Sequence, residues 1–300
     1  MAPRGHLPLM DNRPPAWIRV RISETPSYRQ LKTIVSDQRL HTVCEEAHCP
    51  NIFDCWNRGT ATFMILGDVC TRSCRFCAVR SGKPAELDLG EPARVARSVA
   101  QLQLRHAVIT SVDRDDLRDG GAEIFAQTIR AIRRQSPRTT IEVLTPDFQG
   151  DPRSAQTVAE AGPDIFNHNT ETVPRLYAQV RPKAVYAQSL ALLRGVKRAD
   201  PNLLTKSGVM VGLGETKDEL IAVFRDMRAH DVDVLTVGQY LRPGPKYAPV
   251  DRYYLPEEFL ELKERALELG FGHVESGPLV RSSYHADEQV PPDRRRVLAG

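Results

Sequence analysis

Six cysteines occur in this chain, and all of them stand between positions 44 and 77. The tightest group is Cys70-Thr-Arg-Ser-Cys74-Arg-Phe-Cys77, a C-x3-C-x2-C spacing just after the apolar run Ala61–Leu66. Three thiolates this close can hold three corners of a [4Fe–4S] cube, because iron–sulfur clusters take cysteine thiolates as ligands. With no fourth cysteine in the motif, one iron is left open to bind something else, as catalytic metal sites keep a position open. A zinc site built from Cys70, Cys74, Cys77 and one other ligand is the plainer alternative. Structural zinc, however, normally brings four protein ligands in paired spacings. The second group, Cys44-Glu-Glu-Ala-His-Cys49-Pro-Asn-Ile-Phe-Asp-Cys55, has a C-x4-C-x5-C spacing that is neither a zinc knuckle nor a thioredoxin pair. It reads as the ligands of a second cluster, again one short. Three unrelated buried cysteines would be the bland account, and their confinement to one short segment argues against it.

These groups need a scaffold, and the apolar pattern describes one. Ala61–Leu66, His106–Val112, Thr140–Leu144, Asp164–Asn167, Leu203–Val211 and Asp233–Val237 read as strands. Between them lie helical patterns at Pro92–Leu104, Ala122–Gln135, Asp151–Ala161, Ala184–Arg198 and Lys217–His230. Strands alternating with helices imply parallel βαβ units. The fold class is therefore α/β. Six units fall about two short of a closed eight-unit barrel, which predicts an open, partial (βα)6 TIM-like barrel with N-terminal and C-terminal extensions. In such sheets ligands bind beyond the carboxyl ends of the strands. Residues 24–56 read as helix and loop, with Tyr28, Leu31 and Ile34 on one face. The expected organisation is a flexible extension over 1–25, a segment over 26–60 carrying the second cysteine set, a barrel over 61–250, a C-terminal segment over 251–290 and a basic tail over 291–300.

Bulk properties exclude several classes. The chain has 300 residues, 41 Lys plus Arg against 38 Asp plus Glu, and a formal net charge of +3. That balance gives no reason to expect nucleic acid, and no apolar stretch is long enough for a membrane span. Met1–Val20 has Arg and Pro but no apolar signal-peptide core. Its single acid, Asp11, gives a weak transit-peptide look, and a disordered extension accounts for it better. Clustered thiols in a large chain without a signal peptide point to a reducing compartment, the cytoplasm. Gly212-Leu-Gly214-Glu-Thr-Lys217 lacks the last glycine of a dinucleotide fingerprint, and neither a phosphate-binding P-loop nor a nucleophile elbow is present. His41, His48, His168 and His285 lie near the motifs and read as supporting or surface residues rather than ligands. The run Glu257–Glu268 reads as a solvated helix face.

The two cysteine motifs together resemble those of the lipoyl synthases, within the radical S-adenosylmethionine superfamily. The resemblance runs through Val43–Ile52, Gly59–Cys77, Thr110-Ser-Val-Asp113-Arg-Asp-Asp-Leu117, Asp119-Gly-Gly-Ala122 and Phe166-Asn-His-Asn169-Thr-Glu171-Thr-Val-Pro-Arg-Leu-Tyr177. It continues in Lys206–Glu215 and Val237–Leu241, and ends in Ser276-Gly-Pro-Leu-Val-Arg-Ser-Ser-Tyr-His-Ala286, covering about residues 26–287. It implies a barrel of the radical S-adenosylmethionine type with two [4Fe–4S] clusters and S-adenosylmethionine as cofactors. Cys70, Cys74 and Cys77 would hold the catalytic cluster. Its open iron would chelate the methionine part of the cofactor, whose reductive cleavage gives a 5′-deoxyadenosyl radical. Cys44, Cys49, Cys55 and a serine of Arg281-Ser-Ser-Tyr284 would hold the auxiliary cluster, with Ser283 the choice and Ser282 the alternative. A serine that only caps a turn is the plainer reading of both. Asp113, Gly120, Gly121, Asn169, Glu171, Arg181 and Met210 would contact the cofactor, with Gly212 beside them. The implied reaction inserts sulfur at C6 and C8 of an octanoyl group on a lysine of a lipoyl carrier domain, and the auxiliary cluster is the sulfur source. Such C–H bonds are beyond a side-chain acid or base, so the chemistry belongs to a cofactor. The implied partners are octanoylated carrier domains (the glycine cleavage H protein and 2-oxoacid dehydrogenase E2 subunits), a low-potential electron donor and an iron–sulfur cluster carrier. A biotin synthase type of enzyme should lack the Cys44/Cys49/Cys55 set, and a non-catalytic iron–sulfur or zinc protein is the rival from another class. One departure stands at Pro243–Val250, where the family usually carries a histidine near Tyr247.

Overall fold

The computed structural model describes residues 14–19, 25–38, 40–46, 49–84 and 86–290. The basic tail, His48 and most of the N-terminal extension fall outside them. The chain opens with helix α1 (Pro26–Asp37), the two-residue strand β1 (His41–Thr42) and short helices α2 (Val43–Glu46) and α3 (Ile52–Asn57). Strand β2 (Thr60–Ile65) follows, then the small strands β3 (Val69–Cys70) and β4 (Arg80–Ser81). The rest alternates: α4 (Glu91–Gln101), β5 (His106–Ser111), α5 (Ala122–Gln135), β6 (Thr140–Leu144), α6 (Pro152–Glu160), β7 (Ile165–Asn167), α7 (Tyr177–Val180), α8 (Tyr186–Ala199), β8 (Leu204–Val211), α9 (Lys217–Ala229), β9 (Val234–Gln239), α10 (Pro256–Glu268) and β10 (His273–Gly277).

Local chemistry accounts for the element boundaries. Thr25 accepts from the Tyr28 amide and Pro26 opens α1, a side-chain cap followed by a residue whose missing N–H costs nothing there. Asp151 caps α6 ahead of Pro152 in the same way. Thr216 and Glu219 form a reciprocal capping box at the start of α9. On α1 the buried residues are Tyr28, Leu31 and Val35, so the apolar face runs on to Val35 and leaves Ile34 at its margin.

The main sheet has the order β1-β2-β5-β6-β7-β8-β9-β10. From β2 to β10 every pairing is parallel, and β1 lies antiparallel on the β2 edge. Its outer strands do not pair with each other, so the barrel stays open. The six expected strands are present, and β10 adds a seventh parallel strand beyond position 250. Only Val274 of its five residues is buried, so it carries no apolar run by which the sequence could have shown it. Strand β2 is buried along its whole length, as a strand flanked on both faces must be. The lumen is partly polar. Lys206 pairs with Glu142 at 2.9 Å, both fully buried, and Asn167 donates to the same carboxylate.

Candidate active site

Cys70 ends the short strand β3, immediately past the carboxyl end of β2, and the loop to β4 carries Cys74 and Cys77. Backbone contacts fix this loop. The Thr71 amide donates to Asp113 O, Arg75 to Val180 O, Gly82 to Cys70 O, and Ala248 to Arg75 O. Arg72 anchors it from within. Its buried guanidinium meets Asp115 at 2.9 Å and Asp147 at 2.6 Å, and Asp113 at 3.3 Å. Burial alone would raise the Asp147 carboxyl, but the bonds from Arg72 outweigh it and hold it below its usual range.

The three thiols lie within reach of one another's charge. Burial, then the Asp113 carboxylate, pushes Cys70 up to about 11. Burial, with smaller effects from Cys74 and Cys70, pushes Cys77 up to about 12. Left to themselves these groups would hold their protons at neutral pH; a bound metal reverses that, since a coordinating thiol is deprotonated outright. Among the described residues no three His, Cys, Asp or Glu side chains converge tightly enough to grip a single ion. A four-iron cube spreads its ligands over different irons and asks for a wider set. The amides of Arg72 and Asp113 both point at the Cys70 sulfur, at 3.4 and 3.3 Å, a setting that favours a thiolate.

Beside this loop stand Asn169 and Glu171, just past β7. Glu171 has φ +67°, a left-handed backbone that a non-glycine residue adopts only where its surroundings hold it. Bonds from its amide to Gly208 O and from the Met210 amide to its own carbonyl hold it there. Burial raises its carboxyl, opposed by Arg181. Arg181 donates to the carbonyls of Asn169 and Thr170 at 2.9 and 3.1 Å. Among the described residues its Nε, like Asn169 Oδ1, is buried without a hydrogen-bond partner. Unsatisfied buried polar atoms are costly and call for a partner. A ligand with amino, carboxylate and hydroxyl groups would supply one, so these residues fit S-adenosylmethionine beside a cluster on Cys70, Cys74 and Cys77. Met210 is half-buried at the end of β8.

Asp113 touches the cysteine loop through Arg72 and the Cys70 thiol, which donates to its Oδ2 at 3.8 Å. Gly120 and Gly121 have φ of +60° and +89°. A Cβ on Gly121 would stand 2.2 Å from Leu66, so these glycines have a packing task of their own. Gly212 lies one residue past β8, where a Cβ would meet Gln239 and the Arg252 carbonyl. His168 is buried between Thr145 O and Ser189 Oγ, and burial followed by Arg181 pushes it down to about 4. It is a neutral structural histidine. His41 faces Glu46 at 3.1 Å on the surface.

The second set gathers where α2 and α3 pack against β2. The Cys49 amide donates to Cys44 O at 3.0 Å, and Cys55 sits on α3. Burial pushes Cys44 up to about 12, with the charge of Cys49 adding to it. Cys55 is raised by burial and then by both other thiols. The C-terminal segment returns across the barrel mouth to this set. Gly238 lets it pass, since a Cβ there would stand 2.1 Å from the Val280 carbonyl. Asn51 donates to Leu279 O at 2.6 Å, and Arg58 pairs with Asp287 at 3.2 Å. His285 faces Asp54 at 3.5 Å. The two serines part company on this strap. Thr62 donates to Ser283 Oγ at 3.0 Å, and Thr62 also stands against Cys44. Ser282 Oγ accepts from Asn169 Nδ2 at 2.6 Å, just past β7. The charge of Arg281 reaches both Cys49 of the second set and Glu171 beside the first. Asn51, Thr62, Arg72 and Asp147 were not foreseen. Only Thr62 left a trace, as a polar residue in step with Thr60 along an otherwise apolar strand.

The model of the Radical SAM superfamily matches residues 64–227. Lipoyl synthase of Rubrobacter xylanophilus is 59% identical over 99% of this chain and 94% of its own length. That of Oceanobacillus iheyensis is 61% identical over 93% and 89%, and that of Bacillus subtilis 57% over 93% and 94%. Among solved structures, methylornithine synthase superposes with a TM-score of 0.52 at 15% identity, covering 84% of this chain and 79% of that one. The FeFe-hydrogenase maturase of Carboxydothermus hydrogenoformans gives 0.52 at 14%, covering 87% and 77%. At these identities the two structures share the fold.

Proposed function

The chain belongs to the lipoyl synthases of the radical S-adenosylmethionine superfamily, and from that premise we propose how its two cysteine sets divide the work. Lipoyl synthase is a sulfurtransferase, and its superfamily works with S-adenosylmethionine and a [4Fe–4S] cluster. In the proposed reaction sulfur enters C6 and C8 of an octanoyl group on a carrier-domain lysine, drawn from a second [4Fe–4S] cluster on Cys44, Cys49, Cys55 and Ser283. When bound, S-adenosylmethionine and its cluster supply the one-electron cleavage that yields a hydrogen-abstracting radical.

The chain's own residues do the rest. Cys70, Cys74 and Cys77 hold the first cluster. Asn169, Glu171 and Arg181 orient the polar end of the cofactor, with Asp113 and Met210 at its margins and Gly120 and Gly121 shaping the turn behind it. The strap from Arg281 to Tyr284 closes the space between the sets, keeps water out and holds the alkyl chain near both. The observation that supports this reading is the split on that strap, Ser283 against Thr62 beside Cys44 and Ser282 against Asn169. The octanoylated H protein and E2 domains are the proposed substrates. A low-potential donor supplies electrons, and a cluster carrier restores the spent cluster. All six cysteines are free, as suits the cytoplasm, and among the described residues no helix is long and apolar enough to cross a membrane. An anaerobic assay with an octanoyl-lysine peptide and mass spectrometry of the product tests the reading. A product two sulfurs heavier is expected; cleavage of S-adenosylmethionine with an unchanged peptide would reject it.

A further inference from the structure

The loop that carries the first cysteine set is not sealed on its outer side. Cys74 and Cys77 form part of the wall of an open pocket of about 540 Å³, together with Arg75, Arg80, Lys246 and Tyr247. Among the described residues no carboxylate lines it. Arg75, Arg80 and Lys246 are all exposed. Asp68 pairs with Arg80 from outside the pocket, leaving the rim with excess positive charge. Lys183 adds to that charge, its Nζ donating to Thr71 O at 2.9 Å on the same loop. The two walls are pinned together, because the Ala248 amide donates to the Arg75 carbonyl at 2.7 Å. Lys246, whose Nζ lies 5.2 Å from the Tyr247 ring centroid, is thereby held beside the cysteine loop.

None of Cys44, Cys49, Cys55, Ser282 or Ser283 lines this pocket. An alkyl arm that must lie between the two sets gains nothing by entering here. A reductant has the opposite requirement. It needs only the first set, and electron transfer weakens steeply with distance, so it must dock where that loop meets the surface. We propose that the face formed by Arg75, Arg80 and Lys246 docks a small acidic one-electron carrier protein that reduces the cluster. This rests on the radical S-adenosylmethionine reading of the same cysteines. One electron leaves the reduced centre of the carrier and enters the cluster, so the carrier is oxidised by one and the cluster reduced by one. No bond is made or broken at this step. Opposite charges across such a face set the encounter rate and its salt dependence.

The test uses the anaerobic holoenzyme and an acidic bacterial ferredoxin, with binding followed by surface plasmon resonance. Affinity should fall steeply between about 0.01 M and about 1 M salt, as the screening length shrinks from about 30 Å to about 3 Å. The double variant R80E/K246E should weaken binding at low salt by about tenfold or more, and R80K/K246R should keep it. Cleavage of S-adenosylmethionine driven by reduced methyl viologen, a small cation, should stay at the wild-type rate in R80E/K246E. Binding of an octanoylated carrier domain should not change. Unaltered ferredoxin binding in R80E/K246E overturns the proposal, as does loss of carrier-domain binding instead, or a parallel loss of viologen-driven cleavage. Absence of that cleavage in the wild-type protein would count against the enzymatic reading, while the binding measurement still decides the docking face.

Discussion

The loop of Cys70, Cys74 and Cys77 and the segment of Cys44, Cys49 and Cys55 offer the same three thiols in opposite surroundings. The first stands at the carboxyl end of a parallel strand, ringed by Arg72, Asp113, Glu171 and Arg181, and opens on one side to a cation-lined pocket. The second lies on two short N-terminal helices and the segment between them, outside the barrel strands, with Cys44 and Cys55 buried. Its surroundings are completed from far along the chain by a strap ending in Ser283 and Arg58–Asp287. An open position among charged, fixed groups suits a site that binds a polar cofactor and takes up electrons. A sheltered set met by a strap that carries a hydroxyl would suit a cluster kept intact and then spent. The difference comes from where the fold places each set, since both consist of three cysteines.

The largest test of that contrast is to break one set at a time. Cys74→Ala should abolish reductive cleavage of S-adenosylmethionine, a loss beyond the roughly 100-fold expected when a group merely supporting a metal site is removed. Cys49→Ala should leave cleavage near the wild-type rate and eliminate the sulfur-bearing product. Quantifying 5′-deoxyadenosine and the peptide product in one reaction reads both. Normal sulfur insertion by Cys49→Ala would erase the distinction between the sets.

A smaller effect is expected at Ser283. Oxygen is a harder ligand than thiolate and binds such an iron less persistently. Ser283→Cys should therefore retain the auxiliary cluster and slow sulfur insertion by about 10- to 100-fold, the range for groups that tune a metal site. Ser283→Ala should lose iron faster to a chelator than the wild-type protein does. Iron and sulfide content with Mössbauer spectra follow both. Full-rate insertion by Ser283→Cys would mean that the fourth ligand need not be labile.

The two regions also differ in how far the sequence revealed them. Cys70, Cys74 and Cys77 follow the apolar run Ala61–Leu66, which is plain in the sequence and buried in the fold, so strand and cysteine loop could be read together. The helices around the second set were legible, but their packing was not. Asn51 finds its partner 228 positions away, and Arg72 meets Asp147 75 positions away. Contacts at such separation are fixed by topology and leave no local pattern. Strand β10 was missed for a related reason, because pairing with β9 holds it while four of its five residues stay only partly buried. The choice of Ser283 over Ser282 came from resemblance alone, as two adjacent serines in a turn have no periodicity to separate them.

The smallest expected effect is the most discriminating, because it sets those neighbouring hydroxyls against each other. Ser282 Oγ accepts from Asn169 Nδ2 at 2.6 Å, and Asn169 in turn donates to Glu171 at 3.1 Å. Ser282→Ala removes one acceptor from the cofactor side and leaves Thr62 and Ser283 in place. A single hydrogen bond contributes about 0.5–1.5 kcal/mol, so affinity for S-adenosylmethionine should weaken by up to about tenfold. Iron content of the auxiliary site and its resistance to chelator should stay at wild-type levels, whereas Ser283→Ala lowers both and leaves cofactor affinity alone. Equilibrium dialysis with S-adenosylmethionine and chelator-release kinetics on the two alanine variants measure the crossing. If Ser282→Ala strips the auxiliary site while Ser283→Ala spares it, the ligand moves by one residue and the strap faces the two sets the other way round. If both variants change both readouts equally, the strap acts as one unit and the separation of the two regions ends at Arg281.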